Sequence, residues 1–145
     1  MVFKRYLSFQ LGGSTTVSLT PEGLCKADVT QYKAASGSTG TDASTHRFYT
    51  VRLDSVRVWS FDGTSPGVLE VQFPGRLSGL GSTGSASSSF SLVSSGVAPR
   101  NAMECIPDGL NGSVFYGHAE TNELCKISRT SGLTDYGIVA VCSFK

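Results

Sequence analysis

Apolar residues alternate with polar ones in short runs along this chain, and Gly, Pro, Asn or Asp interrupts each run before it grows long. A period of two belongs to a half-buried β-strand, and no segment sustains the 3.6-residue period of a helix. The chain therefore reads as an antiparallel all-β domain. In the opening run Phe3, Leu7, Phe9 and Leu11 share one face, with Lys4, Tyr6, Ser8 and Gln10 on the other. Alternation resumes after Gly12-Gly13 with Val17 and Leu19. Thr20-Pro21-Glu22-Gly23 predicts a turn, or one helical turn capped by Thr20 with Pro21 at its first position.

Residues 34–45 hold no large apolar side chain and predict a mobile loop, as does a second Ser/Gly tract over 78–89. Between them the longest strand runs from His46 to Phe61. Tyr49, Val51 and Leu53 set one face, but Val56 and Val58 fall on the opposite parity, which predicts a β-bulge or a change of sheet near Asp54-Ser55. Further strands are expected at Val68 to Phe73, with Leu69, Val71 and Phe73 inward and Pro74-Gly75 as the stop. Others follow at Phe90 to Val93, Met103 to Ile106, Val114 to Tyr116, Glu123 to Ser128 and Tyr136 to Phe144. These make about eight strands behind an N-terminal strand or arm over 1–14, and eight strands wound as two Greek keys give a two-sheet jelly-roll sandwich. With the first of the eight at Val17, both Ser/Gly loops emerge at one pole. Residues 1–145 are expected to form one domain, since 145 residues suit a single core and neither a repeat nor a linker divides them.

Charge excludes some partners. Charged residues are 16% of the chain and the formal net charge is +1, so no global field draws nucleic acid or an anionic membrane. The N-terminal run carries Lys4 and Arg5 but no apolar core of a signal peptide, and no window is long and apolar enough for a transmembrane helix. Cys25, Cys105, Cys125 and Cys142 are too far apart for CxxC motifs and have apolar neighbours. Free thiols packed as small hydrophobes are the expectation, with disulfides as the alternative.

Enzyme chemistry finds no footing in the motifs. His46 and His118 lack the companions of a metal or catalytic constellation, and neither HExxH nor GxSxG occurs. Asp28, Asp42, Asp54, Asp62, Asp108, Glu104 and Asp135 are scattered, mostly in turns, where Asp bonds its own backbone. No catalytic residue, metal ligand or cofactor site is assigned; calcium held between subunits stays open. Gly79 to Gly84 fits GxGxxG by letter but leads into no helix, and Asn111-Gly112-Ser113 reads as a hairpin turn before it reads as a glycosylation sequon. Arg47 and Arg57 share a parity on the long strand, and with Lys4 and Arg5 they are the candidate contacts for nucleic acid, against the simpler reading of solvated cations.

The last strand differs from the others. In Tyr136 to Phe144 both parities are apolar, with Ile138, Ala140, Cys142 and Phe144 on one side and Val139 and Val141 on the other. A strand buried on both sides is central and covered by another element or by a second subunit. Val139, Val141 and Phe144 are accordingly candidate interface residues.

Four segments resemble the coat proteins of small icosahedral viruses with a single jelly roll, from small RNA viruses or circular single-stranded DNA viruses. Tyr49 to Trp59 resembles the C strand, Val68 to Phe73 the D strand, Ser94 to Arg100 the turn into F, and Tyr136 to Phe144 the closing I strand. The resemblance implies a virion component that assembles in the host cell into a closed shell of identical subunits, holding viral nucleic acid weakly and without sequence preference, and touching no membrane. One departure is the missing Arg/Lys-rich arm, in whose place only Lys4 and Arg5 stand. The helical C-terminal segments of RNA-phage coat proteins are also missing. A secreted or surface-displayed β-sandwich binding module, lectin-like or adhesin-like, is the alternative; an enzyme is not expected.

Overall fold

Alternation in the sequence becomes antiparallel ladders in space. The computed structural model describes residues 1–9, 11, 15–27, 29–32, 43–60, 67–76, 83–94, 101–107, 112–130, 133 and 136–145. Its strands are β1 (Phe3–Phe9), β2 (Thr16–Leu19), β3 (Val29–Tyr32), β4 (Ala43–His46), β5 (Thr50–Ser60), β6 (Gly67–Arg76), β7 (Thr83–Ser94), β8 (Asn101–Cys105), β9 (Tyr116–Gly117), β10 (Cys125–Arg129) and β11 (Tyr136–Phe144). Helix α1 (Pro21–Lys26) follows β2. Sheet A has the order β1-β11-β5-β8, with β9 beside β5; sheet B has the order β2-β10-β6-β7; β3 and β4 form a separate hairpin. All the pairs are antiparallel.

The eight main strands behave as one folded ribbon. Taken in chain order, β1 pairs with β11, β2 with β10, β5 with β8 and β6 with β7: first with eighth, second with seventh, third with sixth, fourth with fifth. Two further ladders, β11 with β5 and β10 with β6, roll that ribbon into two sheets. Strands β1, β5, β7 and β10 end, and β2, β6, β8 and β11 begin, at one end of the sandwich. The connections at the other end carry α1, the β3–β4 hairpin and β9.

Inward residues of both sheets make a single core. Val51, Val56, Val58, Ile138, Ala140, Cys142 and Phe144 from sheet A meet Leu69, Val71, Phe73, Cys125 and Ile127 from sheet B, all within 1% of full burial. At about 25 cal/mol per Å² of apolar surface, these side chains dominate the drive to fold. Phe48 packs on Phe144 with ring centroids 5.2 Å apart. The slip anticipated at Asp54-Ser55 is present: Val141 pairs with Ser55 but Cys142 with Leu53, so Asp54 is an extra residue that returns Val56 and Val58 to the core side. Helix α1 starts where its capping signal stands, with the Gly23 N–H donating to Thr20 Oγ1 at 3.1 Å and Pro21 in the first turn.

Several expectations are corrected. Residues 3–9 are a full strand of the wall, the first of the eight, and the sixth strand expected at Val114–Tyr116 shrinks to the two-residue β9. The apolar alternation of Phe3, Leu7 and Phe9 gives β1 a face to pack, and pairing with β11 completes it. The loop expected over 78–89 is strand from Thr83, because β6 continues through Pro74-Gly75 to Arg76 and offers β7 a partner, at a shift of register between Phe73 and Gly75. Likewise residues 43–45 belong to β4. Tyr49 does not share the inward face of Val51 and Leu53; it precedes β5 and is exposed. The remaining loop expectations at 34–42 and 78–82 lie outside the described residues, as do the turn at 62–66, Asn111, and Asp28, Asp42, Asp62, Asp108 and Asp135.

Candidate functional site

Because β11 and β5 are central in sheet A, their outward residues form rows with those of β1 and β8. Register fixes these rows: Lys4, Ser143 and Arg52; Tyr6, Val141 and Ser55; Ser8, Val139, Arg57 and Glu104; Gly137, Trp59 and Ala102. Val141 is only 2% exposed although it points away from the core. Its cross-strand neighbours are Tyr6 and Ser55, and the Arg57 guanidinium lies 5.8 Å from the Tyr6 ring. Gly137 is required where it is, since a Cβ there would lie 2.1 Å from the Trp59 indole. The surface is therefore tyrosine, tryptophan and valine, crossed by cations.

Each cation on this face has a defined environment. Arg57 Nε donates to Glu104 Oε1 at 3.1 Å, and Ser55 Oγ donates to the same oxygen at 2.9 Å. The Arg57 and Ser55 hydrogen bonds hold the Glu104 carboxyl below its usual range, with the charges of Arg57 and Lys4 adding to the effect. Nearer the elaborated end, Arg52 Nε donates to Asp54 Oδ1 at 2.8 Å, and Ser143 Oγ to Asp54 Oδ2 at 2.6 Å. Phe115 lies between two cations, 5.0 Å from the Arg52 guanidinium and 4.4 Å from Lys145 Nζ. Beside them the exposed Tyr49 ring meets His118 edge to face at 5.3 Å, and the His118 N–H donates to the Tyr49 carbonyl at 2.8 Å.

The four cations proposed from sequence do not form one patch. Lys4 and Arg57 share the outer face of sheet A, both beside Glu104. Arg5 belongs to the opposite parity of β1, level with Cys142, and Arg47 lies before β5 next to Phe48. The three interface candidates also separate. Phe144 is wholly buried in the subunit's own core and Val141 nearly so; Val139 alone is half-buried. The reason is geometric: Phe144 falls on the inward parity, and Val141 is covered from within the chain.

Sequence reading missed Arg52, Phe115 and Lys145 as a group, because they come from three distant segments that only the β5–β11 register and the turn before β9 bring together. Tyr6 was legible, since it shares parity with Lys4 on the first strand. Tyr6 was passed over because one residue's outward position says little until its strand neighbours are known.

The four cysteines are free and buried in the core. Burial pushes the thiols of Cys25 and Cys105 up to about 11 and that of Cys142 up to about 12, and raises Cys125 further. Protonated at neutral pH and shielded, they pack as small hydrophobes. Among the described residues, no three of His, Cys, Asp or Glu converge as a metal site. No family model, curated protein or solved structure matches the chain.

Proposed function

We propose that this chain is the coat protein of a small icosahedral virus, a jelly-roll subunit that assembles into the shell of the virion. The observation that carries this reading is the ribbon pairing of first with eighth, second with seventh, third with sixth and fourth with fifth strands, rolled into two sheets. That is the arrangement two Greek keys adopt in a jelly roll, a fold used for viral shells and also by lectins and cupins. Since fold alone does not decide among them, the surface of sheet A supplies the second support. Met1, Val2, Phe3 and Tyr6 are exposed apolar residues gathered along one margin, and a margin of that kind marks a contact with another chain.

Energy for assembly comes from apolar contact in this reading. Burial of about a thousand Å² per subunit at about 25 cal/mol per Å² is ample against the entropy of association. With a net charge of +1 and Arg57 already paired to Glu104, nucleic acid is held weakly and by phosphate contacts without sequence preference. The test is electron microscopy and light scattering of nuclease-treated protein. Uniform hollow particles that persist as salt is raised are expected; a monomer under every salt and pH condition overturns the reading.

One observation favours a binding module instead. The end of the sandwich that carries α1 and β9 also gathers exposed Tyr49, His118, and Phe115 between Arg52 and Lys145, which is the composition of a ligand platform. A monomer whose ligand binding is lost in Tyr49→Ala would establish that reading.

A further inference from the structure

We propose that β1 pairs with β1 of a second copy of this chain, antiparallel and centred on Tyr6, so that sheet A of two subunits becomes one continuous sheet. This pairing rests on the shell reading for its purpose; its geometry comes from the strand itself.

Strand β1 is seven residues long and stands at the end of the strand order, with β11 on one side. Among the described residues no strand pairs with its other edge. Edge strands present a row of backbone donors and acceptors, and proteins that avoid association shorten them or break them with Pro or a bulge. Neither shortening, Pro nor a bulge interrupts β1, whose ladder with β11 runs from Phe3 to Phe9 without a shift; charge, at Lys4 and Arg5, is the one blunting device it carries. Its counterpart at the edge of sheet B, β2, is only four residues long. On β1, moreover, Phe3 is 41% and Tyr6 59% exposed.

Register follows from symmetry and charge. Antiparallel pairing of two identical strands needs a two-fold axis perpendicular to the sheet, which keeps the outer face outward and opposes only residues of like parity. The axis must therefore pass through a residue. Centring it on Lys4 or on Arg5 opposes like charges directly, which is destabilising. Centring on Leu7 pairs only residues 5–9. Centring on Tyr6 pairs all of Phe3–Phe9: Phe3 faces Phe9, Lys4 faces Ser8, Arg5 faces Leu7, and the two tyrosines face each other. The strand is self-complementary in that register alone over its full length. The opposite role for Lys4 and Arg5, as charges that keep a second strand away, makes the opposite prediction.

Single cysteines placed on β1 separate the two, because the four native thiols are buried. Assembled Tyr6→Cys protein, treated with diamide as the acceptor of the two thiol hydrogens, is expected to run as a covalent dimer on a denaturing gel. Ser8→Cys alone is not, since its symmetry mate lies four positions along the strand, about 13 Å away at about 3.3 Å per residue and beyond disulfide reach. The double variant Lys4→Cys with Ser8→Cys is expected to cross-link again. Particles that form while Tyr6→Cys stays uncross-linked would overturn the pairing and leave the shell reading standing. Cross-linking of Ser8→Cys alone would overturn the register. Cross-linked dimers without particles would keep the pairing and remove the shell, and a chain that stays monomeric removes both.

Discussion

Sheets A and B face each other with the same kind of residue and face outward with different kinds. Inside, valine, leucine, isoleucine and phenylalanine from both are close-packed, as any two-layer sandwich requires. Outside, sheet B carries polar rows set by its register, Ser18, Lys126, Gln72 and Ser89, then Thr16, Ser128, Glu70 and Ser91, with one apolar pair, Val68 and the exposed Val93, beyond them. Glu70 accepts from Gln72 and from Ser89 at 3.0 Å, so the rows are tied by hydrogen bonds of their own. The outer rows of sheet A instead hold Tyr6, Val141, Val139 and Trp59. Folding explains the inner faces equally well, and it explains the outer face of B, which is wetted like one side of any antiparallel sheet. It gives no reason for the exposed aromatic margin of A, which is where the proposed reading puts the contact between subunits.

The largest effects should leave the two sheets alike. Phe144→Ala in sheet A is expected to cost about 3–5 kcal/mol and Ile127→Ala in sheet B about 2–5 kcal/mol, both being fully buried core truncations. Urea unfolding checks this, and a marked inequality would break the symmetry of the inner faces.

Outward positions should then differ. Val141→Ser is expected to cost about 1.5–3 kcal/mol, because a covered apolar side chain is lost, whereas Ser91→Val on the exposed face of sheet B should stay within about 0.5 kcal/mol. Equal costs in the same unfolding assay would remove the contrast between the outer faces.

Alkaline titration bears on the core that the two sheets share. Each buried thiol has a folded pKa above its unfolded value near 9, so the folded state keeps the proton longer. Its stabilising contribution is complete below pH 9 and is lost as pH rises from there toward 11 or 12. Urea midpoints should fall across that window, and Cys142→Ala should flatten the fall.

Glu104 gives the smallest effect, on the outer face of sheet A. Its lowered pKa contributes stability above the ordinary carboxylate range, and that contribution disappears as pH falls through the folded value. Glu104→Gln should abolish this slight acid sensitivity in urea midpoints measured from pH 5 to pH 3, with little change at pH 7.

How much of this was visible in the sequence depended on whether the signal was local. The bulge at Asp54, the cap at Thr20 and the inward set Leu69, Val71 and Phe73 were legible because parity and turn chemistry act within a few residues. Strand Thr83–Ser94 was not, since its opening half is Ser and Gly without alternation and its pairing with β6 decides the matter. The alternation of Phe3, Leu7 and Phe9 left residues 1–14 readable as a strand or an arm, and only the ladder with β11 makes residues 3–9 part of the wall. Phe144 read as an interface residue because both parities of β11 are apolar, and only the position of β11 between β1 and β5 tells which side is core. The cluster of Arg52, Phe115 and Lys145 had no local signal at all.

Hydrogen–deuterium exchange on assembled and dissociated protein tests the contrast between the sheets most directly, because it reports backbone amides that gain a partner. Protection gained on assembly is expected in the peptide covering Phe3–Phe9 and not in the peptides covering Thr16–Leu19 or Cys125–Arg129. Protection gained in sheet B with none in β1 would contradict the assignment of sheet A as the associating side.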